Sequence, residues 1–573
     1  MRPSPGFWPG CLRASNLALP ALFFLCVGTL VVCGFMRLEK GAIYVFDYST
    51  YWIPIVQLVQ SMREGTSFSS VLATAYQSVG QSDYNLLPDI PLLPFQYLPM
   101  GSRVAYILSI FWVYGGLVYL GVSRVSAGLG AEGEPSHLGR FVPGVVVLTT
   151  ALFWQPLLSG SLDCLGVGMC LIALWAYASR PFSLRAWGWF LLAGALLGFV
   201  PVLRRWYAFW VVGFVCVSTV ESAYITYQQW KKKKDYCLPF FLLFLLGLGC
   251  AMVLLLFPDF VERAIKINQN NPYSGYRMTS SALEEAGVSF LHFGLLPAVL
   301  FGWSVFLGFR IAALRRLLVC GTVASLLSYV LLLRMQSPGP QHYYLLLIGY
   351  LAAVAPVATA CCRGMFTPWV RRGLLGCLGI AALACIADPL IWGSVPRPLA
   401  WRVVFGEAAL KPCQRSDLDE IQRLTGTLDQ IEATHQGIYI YVLSSSALFC
   451  DDTLTHATLP TPGLRFAAAG RVIPTFHVDS RDGFPTNLLA AHVVVVADPV
   501  QLHLLPENQR VVAVPARQLL EHRGLGSAFE RIAGPFRLDR GVSAYIYGRT
   551  RQTTRAEAED LSRELNLPLP PLR

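Results

Sequence analysis

The chain is poor in charge. Asp, Glu, Lys and Arg make up only 14% of its 573 residues, where soluble domains carry about 25%. Hydrophobic residues make up 54%, and the mean hydropathy is +0.50. With apolar runs near 20 residues in length, this excludes an ordinary soluble protein and indicates a polytopic membrane protein. Metal-ligand spacing is also missing. None of the 15 cysteines forms a CxxC pair or a Cys/His pattern, and most lie in apolar runs, where a thiol acts as a small hydrophobe. No low-complexity tract or short-period repeat occurs. The net charge of +11 does not indicate nucleic acid, because much of it sits in short loops between apolar runs, where Lys and Arg set topology.

Eleven candidate spans follow, near 16–37, 103–123, 141–159, 162–179, 186–203, 206–226, 238–257, 288–309, 316–333, 342–360 and 373–392. The first is too long for the apolar core of a cleaved signal peptide and is read as a retained helix. "RRWY" at 204–207 divides the long apolar stretch around it, since two Arg sit poorly in hydrocarbon. With the N-terminus in the cytoplasm, inside segments carry 16 Lys and Arg and outside segments 10, and "WKKKKD" at 230–235 is the strongest marker. The C-terminus then lies outside.

From about Arg397 the composition changes. Short β-branched runs at 437–443, 492–498, 510–516 and 542–548 read as strands, and 415–434 reads as a helix. The expected organisation is a mostly α membrane domain over 1–396 and an extracytoplasmic α/β domain over 397–573. Cys413 and Cys450 are the only cysteines of that domain and could pair in an oxidising exterior. The region has no G-x-G-x-x-G, and a lid or acceptor-recognition role is expected of it.

Charges in such a chain collect where it works. The first outer loop, 38–102, carries Asp47 in "YVFDYSTYW", an interfacial helix pattern at 51–65, and "SDYNLLPDIPLLPF" at 82–95 with Asp83, Asn85 and Asp89. Prolines 88, 91 and 94 allow only broken helical turns there. A tight turn, "QPLLSGSLDCLG", places Asp163 at a helix start, where an N-cap acid is equally expected. Arg204, Arg205 and Arg334 reach the same face, with Tyr207, Gln341, His342 and Tyr343 beside them. Snorkelling would explain the Arg pair; so would a phosphate clamp, since guanidinium matches phosphate bidentately. Asp388, in the last span, is the late exception. Carboxylates can act as general bases, and Arg can stabilise a leaving phosphate.

These residues resemble those of GT-C superfamily glycosyltransferases, polytopic enzymes that use polyprenyl-phosphate-linked sugars. The resemblance rests on Asp47 in "FDYSTYW" after the first helix, Asp163 in "GSLDCLG", and "DYNLLPDIPLLPF" at 83–95, which is similar to a stretch of bacterial members. "RRWY" and "PQHYYLLL" have the same flavour, as does an α/β domain after the last span. The first loop has no adjacent acidic pair, as mannosyltransferases have, and the C-terminal region has no "WWD". The nearer analogy is therefore to bacterial envelope-modifying or exopolysaccharide enzymes, in the group that includes the aminoarabinose transferases and the protein mannosyltransferases.

The resemblance implies an inverting hexosyl or pentosyl transfer from undecaprenyl phosphate to an envelope acceptor (lipid, glycan or protein) at the outer face of the cytoplasmic membrane. Asp47 would be the base or would orient the acceptor, and Asp163 a second catalytic or metal-associated acid. Arg204, Arg205 and Arg334 would bind the donor phosphate. Asp83, Asn85, Asp89, Tyr207, Gln341, His342 and Tyr343 are candidates for substrate contact. Mg²⁺ or Mn²⁺ would suit carboxylates near phosphate, although Arg can supply the same electrostatics. The rival readings are a transporter or flippase of a lipid-linked or anionic substrate, which would carry charges or broken helices near the bilayer midplane, and a non-enzymatic scaffold.

Overall fold

A computed structural model describes residues 14–39, 41–98, 102–127, 138–232, 237–270, 272–279, 281–391, 397–407, 415–457 and 466–571. Arg2, Arg13, Lys233, Lys234 and Cys413 lie outside these residues, and with them part of the charge count and the Cys413–Cys450 pairing. Cys450 is buried.

The described chain is mostly helical, with a small C-terminal sheet. Seven helices are long and apolar enough to cross a bilayer unbroken: Ala18–Met36, Ser102–Ala127, Leu184–Leu203, Arg205–Lys231, Ala312–Met335, Pro340–Cys362 and Pro368–Ile391. Three further expected spans are bent helix pairs, which bring the number to ten. The eleventh expected span is Cys164–Ala178, whose 15 residues make a helix about 22 Å long, short of a hydrocarbon core of about 30 Å.

Each bend has a local cause. Val142–Leu148 and Ala151–Ser159 meet at 66°, where the Thr149 hydroxyl turns back to the Val146 carbonyl (2.6 Å) and Thr150 caps the Leu152 amide (3.3 Å). Leu238–Leu254 gives way at 97° to a helix that begins at Pro258, a residue suited to a first turn. Leu283–Phe293 and Leu295–Gly308 bend by 89° at Gly294, whose φ is +84°. A side chain at Gly294 would lie 2.4 Å from the Gly406 amide nitrogen, so this corner also admits the segment leaving the membrane domain.

That segment is anchored by Asp388. Its carboxylate accepts two hydrogen bonds from Arg397 (2.7 and 2.9 Å) and one from the Trp401 indole (2.9 Å). The late charge in the last span is thus buried and paired.

The C-terminal sheet has the order β1–β2–β4–β3, with β1 Ile440–Leu443, β2 Val493–Asp498, β3 Phe529–Arg537 and β4 Ser543–Arg549. β1 and β2 are parallel; β4 runs antiparallel to both β2 and β3. Alternation along the strands divides the core. Ile440, Val442, Val493 and Val495 face the helix Leu418–Thr434, while Tyr441, Val494 and Val496 face Arg510–Leu520 and Arg555–Leu565.

Two sequence expectations change here. "RVVAVPA" at 510–516 is a helix, not a strand. Over the longer window Val511, Val512, Pro515, Ala516 and Leu519 recur at helical spacing and are buried. The strand Phe529–Arg537 escaped notice because Gly534–Pro535 and its charges mask the pattern. Ile43 and Val45, from the first loop, are built into the same core as Ile421 and Val442.

Candidate active site

The segment carrying Asp47 is pinned on two sides. Ile43, Val45 and Phe46 run into the C-terminal core, and Asp47–Thr50 then forms one helical turn. Phe46 sits at φ 52°, ψ −135°, close to the first central position of a type II′ turn and normally reserved for glycine. Such a conformation costs about 1–3 kcal/mol and persists only where its surroundings impose it. Arg103, buried, donates to the Tyr48 carbonyl and to the Ser159 carbonyl, both at 2.7 Å. It thereby ties this turn to the one preceding Asp163. Gly160 (φ +92°) makes room for that guanidinium, since a Cβ there would lie 2.7 Å from it.

Asp47 is partly exposed. Its two oxygens accept from the Tyr84 hydroxyl (2.9 Å) and the Gln341 amide (3.0 Å). Burial raises its carboxyl above the ordinary range, while Tyr84, the Arg204 charge and Gln341 oppose the shift. The charge of Asp47, with burial, holds the Tyr84 phenol well above its usual value. Tyr84 therefore stays a donor.

Asp163 is fully buried and fully engaged. Arg204 donates to both of its oxygens (2.6 and 3.2 Å), the Trp206 indole adds a bond at 2.8 Å, and Ser161 supplies a further short one. Its backbone carbonyl accepts from the Tyr207 hydroxyl at 2.6 Å. Arg204 is also buried; it lies over the Tyr51 ring at 4.2 Å, bonds the Tyr51 hydroxyl, and stands 5.7 Å from the Tyr84 ring centre. So Asp47 and Asp163 belong to one cluster, bridged by Tyr84, Tyr51 and Arg204.

Asp83 heads the adjoining cluster. Arg205 (3.0 Å) and Arg263 (2.9 Å) both pair with it, and the Tyr273 hydroxyl donates at 2.7 Å. Both arginine side chains are about a fifth exposed (22% and 20%), Arg263 also donates to the Val79 and Ser82 carbonyls (3.2 and 2.8 Å), and two positive charges face one negative. The dipeptide Asp83–Tyr84 joins the clusters, one residue to each. Above them Tyr276 receives a short bond from Arg481 of the C-terminal region, which also pairs with Asp482 at 2.5 Å.

The other candidates divide. Gln341 is in the site. His342 packs edge-on to Trp206 at 5.2 Å and accepts from the Gly339 amide at 2.8 Å, shaping the turn that delivers Gln341. Asn85 bonds the Val202 and Leu203 carbonyls (2.8 and 3.3 Å), closing the end of the helix before Arg204. Asp89 is buried, and burial holds its carboxyl well above the usual range. Tyr343 packs on His292 and Tyr329. Arg334 has an exposed side chain; among the described residues no contact joins it to Asp47, Asp163 or Arg204.

Sequence reasoning missed Arg263, Tyr273 and Arg481. Arg263 and Tyr273 lie in a mixed-charge segment that reads as an ordinary solvated loop, and Arg481 in a C-terminal cluster of both signs. Tyr84 stood one residue from a flagged acid. A divalent ion takes several oxygen ligands. Among the described residues no group of three His, Cys, Asp or Glu gathers, and both Asp163 oxygens are occupied, so these side chains do not fit one.

ArnT from Cupriavidus metallidurans bound to undecaprenyl phosphate is 12% identical, over 94% of this chain and 98% of that one, with a TM-score of 0.43. Its apo form covers 92% and 97% at a TM-score of 0.45. The oligosaccharyltransferase AglB from Archaeoglobus fulgidus, in complex with an inhibitory peptide and a dolichol-phosphate, is 12% identical over 83% and 69%, with a TM-score of 0.37. At such scores the likeness carries no argument about fold or activity. No protein-family model matches the sequence, and no curated protein matches it.

Proposed function

We propose that this protein is a membrane glycosyltransferase that moves a sugar from a polyprenyl-phosphate donor to an envelope acceptor, with Asp47 as general base. The observation that carries the reading is the pairing of two unlike sites by Asp83–Tyr84. One is a partly exposed carboxylate held only by neutral donors. The other is a pair of partly exposed arginine side chains with surplus positive charge.

In this reaction Asp47 takes the proton from an acceptor O–H or N–H as that atom bonds to the sugar's C1. The C1–O bond to phosphate breaks with inversion, and the phosphate keeps the electron pair and remains on the lipid. Tyr84 and Gln341 aim the carboxylate. Arg205 and Arg263 meet the phosphate, where their charge stabilises the departing dianion more than the bound ester. Arg204 is committed to Asp163; together they form the buried floor that orients Tyr51 and Tyr84. Transfer takes place at the outer face of the cytoplasmic membrane, with the C-terminal region on the same side.

A transporter would use its helix breaks for substrate. Here the breaks fall at Thr149–Thr150, Leu255–Phe257 and Gly294, with no ionisable group among them. The test is to incubate the purified protein with a polyprenyl-phosphate-sugar lipid extract and candidate envelope acceptors. Glycosylated acceptor and free polyprenyl phosphate are expected in equal amounts. Movement of intact donor across a vesicle without cleavage would instead make the protein a flippase.

A further inference from the structure

The sequence offers the C-terminal domain only as a lid or acceptor-binding module. Its contacts with Phe46 suggest something more specific. The Phe46 amide donates to Asp452 Oδ2 at 2.7 Å. Its ring lies against His503 (5.0 Å between centroids) and edge-on to His477 (6.1 Å). Both imidazoles are fixed from behind. Ser445 Oγ lies 2.7 Å from His477 Nδ1 and 2.8 Å from His503 Nδ1, and Asp451 lies 3.3 Å from His477 Nε2. His456 Nδ1 is 3.2 Å from the Tyr44 carbonyl oxygen, two residues earlier. Meanwhile the Phe46 carbonyl accepts from the Ser49 and Thr50 amides at 3.0 and 2.9 Å, which starts the turn bearing Asp47.

We infer that the C-terminal domain is the positioning element for Asp47: Asp452, His477 and His503 grip Phe46 in a backbone conformation it would not hold alone, and that grip sets the direction of the next side chain. The inference rests on the role given to Asp47 above. A phenylalanine with positive φ relaxes to an extended or helical conformation once its amide partner and ring contacts are removed. Relaxation rotates the following turn and takes the carboxylate off Tyr84 and Gln341. A misplacement of about 1 Å at a reacting group can cost on the order of a hundredfold in rate. Asp452, His477 and His503 are positioning residues in this account, with no contact to the reacting atoms.

The experiment uses the full-length protein in detergent with Asp452→Ala, Phe46→Gly, the combination of the two, and His503→Ala as a variant that removes a ring contact but leaves the Asp452 carboxylate in place. Deuterium uptake at amides 46–50 is measured without substrate, and sugar transfer from the polyprenyl-phosphate-sugar lipid extract in parallel. Asp452→Ala and His503→Ala should raise uptake at 46–50 and lower kcat with little change in donor KM. Phe46→Gly should lower kcat in the native background, where the ring contacts are lost. In the Asp452→Ala background it should raise kcat, because glycine reaches positive φ unaided. Unchanged uptake at 46–50 in both clamp variants, or effects of Asp452→Ala and Phe46→Gly that simply add, would overturn the inference. If the native protein transfers no sugar, the proposed function falls, and the uptake measurement still decides whether the domain holds this segment.

Discussion

Tyr84 donates a hydroxyl hydrogen bond to Asp47 at 2.9 Å, across 37 residues of chain. This single bond holds one oxygen of the candidate base, on a residue that remains partly exposed. Because it favours the ionised carboxylate, it opposes the upward shift that burial imposes on the base.

A base must be ionised to work. The Asp47 carboxyl is raised by burial, so transfer should fail as pH falls through a value above the ordinary carboxylate range. Tyr84→Phe removes a bond to the charged form and should move this acid limb to still higher pH. A pH–rate profile of kcat/KM for the two proteins checks the sign, and a downward shift would contradict it.

Arg205 and Arg263 should serve the donor. A hydrogen bond to a charged group is worth about 1.5–3 kcal/mol, or roughly ten- to a hundredfold. Arg205→Ala and Arg263→Ala should each raise donor KM by about that factor, measured by donor titration, while Arg334→Ala, at an exposed position, should leave it unchanged.

The Asp163–Arg204 pair should matter first for folding. Breaking one side of a buried ion pair costs about 3–5 kcal/mol, whereas replacing both partners by apolar residues is often nearly neutral. Asp163→Ala should lower Tm in detergent markedly, and Asp163→Leu combined with Arg204→Met should recover much of the loss. Thermal unfolding of the single and double variants measures this.

The spans were legible because length and composition alone decide whether a helix can cross a bilayer. The loop acids and "RRWY" were legible because charge is scarce in this chain. Their pairings were not. Asp163 meets Arg204 across 41 residues and Arg205 meets Asp83 across more than a hundred, through packing that no local pattern encodes. Reading Arg204 and Arg205 as one clamp missed that adjacent side chains diverge, one to a buried acid and one to a half-open cluster. The helix at 510–520 was misread because four of its first five residues, Arg510 to Val514, are valine or alanine, a run that suits a buried strand equally well. The grip on Phe46 left no trace in the sequence, since a phenylalanine at positive φ looks like any other.

The most direct measurement is sugar transfer by Asp47→Asn, made alongside donor binding and thermal stability. General-base catalysis contributes about 10²–10⁴ in rate. The account predicts a loss of that order with donor affinity and Tm close to native. Near-native transfer by the folded Asp47→Asn protein would contradict it.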